Sequence, residues 1–106
     1  MILGLDFYDT ITKHPQTYRD LAYAVLADGG EVYIISAIKK GSKTPPIQKY
    51  AIPNTATIIV EFNTIKETPR LKYEACLNNG VQLFIDDMQP TIDYLNSKKI
   101  LCLKTY

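Results

Sequence analysis

Three apolar runs in this chain each stop on a small polar or acidic side chain: Asp6 after ILGL, Ser36 after VYII, and Asp86-Asp87 after LFI. Carboxylates of this kind can attack an electrophilic phosphorus, pass protons, or hold a hard cation such as Mg²⁺, which prefers oxygen donors. Each residue alone also has an ordinary reading as a loop starter, because Asp and Ser favour turns and helix caps. Taken together they point to a site, since buried carboxylates without partners are costly and repel one another unless a cation stands among them. Lysines supply further charge nearby in sequence. Lys39, Lys40 and Lys43 follow Ser36.

Such side chains can meet only if strands carry them to one edge. Ile2, Leu3 and Leu5 make a short apolar run ending at Asp6, as a buried strand does, and the polar stretch from Asp6 to Pro15 reads as a loop. From Gln16 to Asp28 the residues Tyr18, Leu21, Ala22, Val25 and Leu26 share one helical face, and Gly29-Gly30 stops the helix. Val32 to Ala37 is apolar and β-branched, a second strand. Lys39 to Lys43 with Pro45-Pro46 reads as a loop, then a brief helix through Tyr50 that ends before Pro53. Thr55 to Phe62 is the third strand. Thr68 as N-cap and Pro69 in the first turn start a helix to about Asn79, stopped by Gly80. Val81 to Ile85 is the fourth strand, Pro90 to Asn96 a short helix, and Ile100 to Leu103 the fifth strand.

This alternation predicts an α/β fold: one Rossmann-like three-layer domain over residues 1–106, built on a five-stranded parallel sheet with helices on both faces. Ligands in such sheets bind beyond the carboxyl ends of the strands, near the point where strand order reverses. The 46% hydrophobic and 22% charged fractions are those of a globular domain rather than a disordered one. With 12 Lys and Arg against 11 Asp and Glu, bulk charge argues for neither nucleic acid nor membrane, although a local basic patch would suffice for the former. No apolar run reaches membrane-spanning length, and no basic start precedes a long apolar stretch, so the expectation is cytoplasmic with no membrane partner. Cys76 and Cys102, each in an apolar segment without ligand-like spacing, read as buried free thiols. His14 reads as a surface residue at a helix start. Arg19 and Arg70 could contact phosphate by charge alone.

The stretch ILGLDFYDTI resembles the first motif of the haloacid dehalogenase-like (HAD) superfamily, an apolar strand followed by Asp-x-Asp-x-Thr/Val. VYIISA resembles the second motif and LFIDD the fourth. The third is a lysine at or before the helix preceding that last strand. Lys72 in TPRLKYEA and Lys66, whose spacing to Pro69 is similar to a Lys-Pro-x-Pro variant, both fit, with Lys72 favoured. The resemblance spans nearly the whole chain and implies a Mg²⁺-dependent phosphatase. Asp6 would be the nucleophile that forms an aspartyl-phosphate. Mg²⁺ would sit on Asp6, the backbone carbonyl of Tyr8, and Asp86 or Asp87. Ser36 would donate to the phosphoryl group, the lysine would steady developing charge, and Thr10 and Lys66 would lie on the substrate side. Apart from the resemblance, the loop of Lys39, Lys40 and Lys43 beside Ser36 either contacts substrate phosphates at the site edge or is a solvated basic loop.

Tyr8 departs from that pattern, because the resemblance puts a second aspartate there to protonate the leaving group and activate water. A phenol, ordinarily titrating near ~10, is a poor base at neutral pH, which implies slow turnover. Asp9 substitutes only if the loop bends differently, and otherwise serves as a turn residue. An Asp-x-Tyr-x-Thr start also resembles the 2-haloacid dehalogenases, but those need a large cap. About thirty residues separate Asp6 from Ser36, enough for one helix and no cap. A receiver-like domain would carry its phosphoacceptor after the third strand, where this chain has Asn63. Without a cap, the open site calls for a bulky phosphorylated substrate, a nucleotide or nucleic-acid end among them, or for a partner subunit in an oligomer. The alternative is a catalytically weak or inactive HAD-like domain that binds a phosphorylated ligand or a protein partner.

Overall fold

A computed structural model describes all of residues 1–106. Five strands, β1 (Ile2–Leu5), β2 (Glu31–Lys39), β3 (Ala56–Phe62), β4 (Leu83–Asp86) and β5 (Leu101–Lys104), form one sheet in the order β3-β2-β1-β4-β5, and every neighbouring pair is parallel. Helix α1 (Pro15–Ala27) joins β1 to β2, α2 (Thr68–Asn78) joins β3 to β4, and α3 (Gln89–Ser97) joins β4 to β5. The chain moves outward from β1 to β2 and β3, then returns to β4 on the other side of β1. Strand order therefore reverses between β1 and β4, which makes their carboxyl ends the expected ligand edge.

Between β2 and β3 the expected helix is a single 3₁₀ turn, Ile47–Tyr50. Pro46 before it and Pro53 after it leave no room to propagate, since proline can neither donate to a helix nor follow a helical residue without strain. Several other boundaries shift by a residue, and two, in β2 and β4, shift by two. Strand β2 runs on to Lys39, two residues past the expected end, held by pairing with β3 as far as Lys39–Phe62. Strand β4 begins at Leu83 rather than Val81, because Gly80, at φ +68°, turns the chain and Val81 donates back to the Cys76 carbonyl at 2.9 Å to close α2.

Alternation along the strands divides the core between two faces. Leu3, Leu5, Val32, Ile34 and Ile85 pack under α1 with its buried Tyr18, Ala22 and Val25. Ile35, Phe84 and Cys102 face α2 and α3, against Ala75, Cys76, Ile92 and Leu95. Cys76 and Cys102 are both buried and unlinked, and burial pushes each thiol up to about 12. On this second face Gly4 is indispensable: a Cβ there would lie 2.5 Å from Cδ1 of Phe84, so only glycine lets that ring lie across β1. No helix is long and apolar enough to cross a membrane.

Candidate active site

The ladder brings two acids level. Leu5 of β1 pairs with Ile85 of β4, so Asp6 and Asp86, one residue further, stand side by side on the face of Gly4 and Phe84. The Asp6 amide donates to the Ile85 carbonyl at 3.0 Å, which fixes the first residue of the loop to the neighbouring strand. Helix α2 covers that face with a stripe of buried residues at helical spacing, Thr68, Lys72, Ala75 and Cys76. Its second member is a lysine.

Lys72 Nζ donates to Asp6 Oδ1 and to Asp86 Oδ2, each at 2.7 Å, and all three side chains are almost wholly buried. The remaining oxygens are also held. The Thr10 hydroxyl donates to Asp6 Oδ2 at 2.9 Å, while the Asp87 and Met88 amides donate to Asp86 Oδ1 at 2.7 and 3.0 Å. Lys72 is thus the lysine that the fold brings to the acids, whereas Lys66 is an exposed residue at the rim of the adjoining cleft.

Burial dominates the electrostatics of Asp6 and pushes its carboxyl up to about 7, with Lys72 pulling it down and Asp86 pushing it further up. Asp87 is raised as well, by burial first and by neighbouring Asp86. Burial is also the largest influence on Lys72 and works against its charge, but Asp6 and Asp86 together outweigh it and raise its pKa. One ammonium therefore faces three acids, and an oxygen from each of Asp6, Asp86 and Asp87 lies within 4.8 Å of the others. This is an acidic group of a size that can hold a metal ion, and its all-oxygen donor set suits a hard divalent cation. The surplus of acid over base in a buried place is the chemistry that such a cation would balance.

Asp6, Asp87 and Lys72 line an open cleft of about 500 Å³, while Asp86 is wholly buried and does not line it. It is lined also by Tyr8 and Asp9 from the loop after β1, by Phe62, Ile65 and Lys66 from the end of β3 onward, and by Met88 and Pro90 after β4. Tyr8 is nearly half exposed, its ring edge-on to Phe7 with centroids 4.9 Å apart. Asp9 sits in the left-handed region at φ 60°, its amide donating to Thr12 Oγ1 at 2.9 Å. The loop after β1 therefore does bend sharply one residue beyond Tyr8.

Other candidates stand elsewhere. Ser36 is buried on β2, but alternation puts it on the Ile34 face, under α1, and the cleft wall is formed instead by Ala37. Its hydroxyl has no hydrogen-bond partner. Lys39, Lys40 and Lys43 are exposed, and none lines the cleft. His14 stacks on Tyr106 with ring centroids 3.6 Å apart, its Nε2 2.7 Å from the Tyr106 carbonyl oxygen. Arg19 donates to the Tyr50 carbonyl and so ties the 3₁₀ turn to α1, while Arg70 pairs with Glu74 on the outside of α2.

Thr68, read from the sequence as a helix N-cap, is corrected by the structure. A 3₁₀ turn over Ile65–Glu67 precedes α2, and Thr64 and Glu67 cap it reciprocally. The Thr64-x-x-Glu67 spacing was a visible signal for this. Thr68 is left inside the cleft wall with a buried, unpartnered hydroxyl, a site feature that sequence reasoning missed.

No protein-family model matches the chain, and no curated protein matches it either. Among solved structures it is similar in fold to a chain in the structure of the Pnkp1/Rnl/Hen1 RNA repair complex, with a TM-score of 0.76 at 15% identity. The alignment takes in 98% of this chain and 42% of that one, so the present chain spans less than half the length of its structural neighbour. At that identity the likeness establishes a shared α/β parallel-sheet fold.

Proposed function

We propose that this chain is a HAD-like, Mg²⁺-dependent phosphohydrolase that works through an aspartyl-phosphate on Asp6. The observation that carries the reading is the buried Lys72 bridge between Asp6 and Asp86, formed where strand order reverses and open to a cleft. A carboxylate so held has few conformations to lose on attack, and phosphoryl transfer is catalysed mainly by such positioning and by charge. Asp6 would attack the phosphorus, with Thr10 and Lys72 fixing its two oxygens. Lys72 would also offset charge on the phosphoryl group. When bound by Asp6, the Tyr8 carbonyl and Asp86 or Asp87, Mg²⁺ would neutralise phosphoryl oxygens.

The substrate would be a phosphate monoester large enough to need no lid, a nucleotide or a nucleic-acid end among the candidates. The fold likeness to a component of an RNA repair assembly supports placing nucleic-acid ends in the panel. Lys66 at the rim would meet the body of the substrate, and a partner subunit in an oligomer would serve to enclose the cleft. Two buried, unlinked thiols fit a reducing, cytoplasmic setting.

A second reading, a catalytically weak or inactive domain that binds phosphorylated ligands or a protein partner, is favoured by Tyr8 alone. Phosphate release from aryl phosphates, nucleotides and end-phosphorylated oligonucleotides, with and without Mg²⁺, separates the two. Metal-dependent turnover in the parent that disappears in Asp6→Asn is expected. Silence of the parent across the panel, followed by a large gain in Tyr8→Asp, would establish the binding-domain reading instead.

A further inference from the structure

Neighbouring strands β1 and β2 end at different heights on the carboxyl edge of the sheet. β1 stops at Leu5, level with Ile34 of β2, whereas β2 and β3 stay paired as far as Lys39 and Phe62. Beyond the acids the sheet is therefore a two-stranded ribbon, whose tip stands about 13 Å past the level of Asp6 at ~3.3 Å per residue. The Ser42 amide, donating to the Lys39 carbonyl at 2.9 Å, folds that tip into a tight turn. Pleat parity gives the ribbon two faces. Lys39 shares one with Ala37 and Phe62, the residues that wall the cleft, while Ser36, Ile38 and Glu61 take the other.

Charge is divided along the same line. Residues 32–60 hold four lysines and no acid, so the rest of the chain, with eight basic side chains against eleven acidic ones, is net negative. Lys39, Lys40 and Lys43 stand exposed at or just after the tip, and none is in an ion pair. Lysines on an outer strand discourage edge-to-edge pairing, but the outer strand β3 carries a single charge, Glu61. The lysines at the tip therefore do not serve as edge guards. Lys66, also exposed and unpaired, lies on the cleft rim. Between it and the acids the mouth is apolar, with Tyr8, Phe62, Ile65 and Met88 among its lining residues.

Free ammonium groups leading away from an apolar mouth that carries aromatic rings suit a single strand of nucleic acid. The charges meet its backbone and the ring faces meet its bases. A mononucleotide would end inside the cleft and never reach the tip. An acidic peptide would satisfy the lysines but bring no flat faces to the mouth. The 13 Å rise of the ribbon matches about four nucleotides at roughly 3.4 Å each. We infer that the β2–β3 tip is a nucleic-acid contact surface, and that the site takes the phosphorylated end of a single strand whose backbone runs from Lys66 to Lys39, Lys40 and Lys43. This names the substrate class for the phosphohydrolase reading above and rests on that reading.

Two charge-matched pairs of substitutions test the place as well as the charge. Lys39→Gln with Lys40→Gln alters the tip. Lys98→Gln with Lys99→Gln removes the same charge from exposed positions between α3 and β5, at the opposite edge of the sheet. Anisotropy of a dye-labelled oligothymidylate without a terminal phosphate reads binding with no turnover. With four lysine contacts, log affinity of the parent should fall against log salt with a slope of about −2.8, and the tip pair should flatten it by about 1.4. The pair at Lys98 and Lys99 should keep the parent's slope. With Mg²⁺ present, the parent's KM for an end-phosphorylated oligothymidylate should lie below that for thymidine monophosphate, and the tip pair should raise it. Equal flattening in both pairs would overturn the tip as the contact surface. So would a parent that ignores the strand and holds a phosphopeptide through the tip. Asp6-dependent hydrolysis of aryl phosphates with no strand binding would overturn this inference alone. Tip-dependent strand binding by a parent that hydrolyses no ester would bring down the phosphohydrolase reading, and with it the strand end as substrate.

Discussion

The ends of β1 and β4 and the end of β2 look alike in sequence and behave differently in space. At the first two, Asp6 and Asp86 come level on the face covered by α2, and every oxygen of the pair is engaged. At the third, strand β2 continues three residues past Ser36, whose hydroxyl is buried on the opposite face without a partner. Both regions carry a small polar residue after an apolar run. What separates them is pleat parity, together with whether a neighbouring helix brings a complementary charge. Asp6 and Asp86 meet both conditions and are bridged; Ser36 meets neither and is left without a partner.

The sharpest way to break the satisfied end is Lys72→Met. Removing one partner of a buried ion pair leaves an uncompensated charge, here two facing carboxylates, and costs about 3–5 kcal/mol. Chemical denaturation without divalent cations should show that loss, and added Mg²⁺ should recover more stability in the variant than in the parent.

The raised acids make a pH prediction next in size. Folded Asp6 keeps its proton up to about 7, while the unfolded chain releases it near 3.8. Between those values the folded state binds more protons, so stability falls as pH rises. Metal-free protein should therefore have a higher thermal midpoint near pH 5 than near pH 8. Asp6→Asn should flatten that slope to the share left by Asp87, whose pKa is raised in the same direction. A parent whose midpoint rises across this window would show that Lys72 wins over burial at Asp6.

Thr10 and Ser36 give the most direct test of the comparison, because both are hydroxyls shut away from solvent. Above pH 7, where Asp6 is ionised, Thr10→Val removes a hydrogen bond to a charged group, worth about 1.5–3 kcal/mol. Ser36→Ala removes a group that has no partner to lose, and should be neutral or slightly stabilising. Equal losses in the two denaturation curves would place a partner at Ser36 and dissolve the contrast.

Smallest of all is Lys39→Ala. An exposed side chain with no ion pair should change stability by no more than about 0.5 kcal/mol. Turnover of a small aryl phosphate should stay near the parent value, since Lys39 does not line the cleft.

Much of the fold was legible in the sequence. Turn and cap residues such as Gly29, Gly80 and Pro69, together with β-branched runs, marked the elements, and their alternation led to the parallel sheet. The choice of Lys72 over Lys66 was also open to a reading of helical spacing, since Lys72 interrupts a stripe made by Thr68, Ala75 and Cys76 and so must point inward. Ser36 was not legible in the same way. Its strand is apolar at Ile34, Ile35 and Ala37, as expected when helices or turns cover both faces, and a run without alternation carries no mark of which face a residue takes.

By itself, then, the sequence determined the α/β class, the strands that would end in acid, and Asp6, Asp86, Asp87 and Lys72 as residues able to meet. These follow from local propensity and hydrophobic pattern, which act over a few residues. Tertiary structure alone decided that Lys72 bridges Asp6 and Asp86, that Ser36 takes the Ile34 face of the sheet, and that the loop after β1 turns at Asp9 beside the cleft. Those outcomes depend on ladder register, on the side of the sheet a helix covers, and on one residue's left-handed turn. Each is set by packing between segments far apart in the chain or by a single backbone dihedral, and neither leaves a periodic trace in the order of the amino acids.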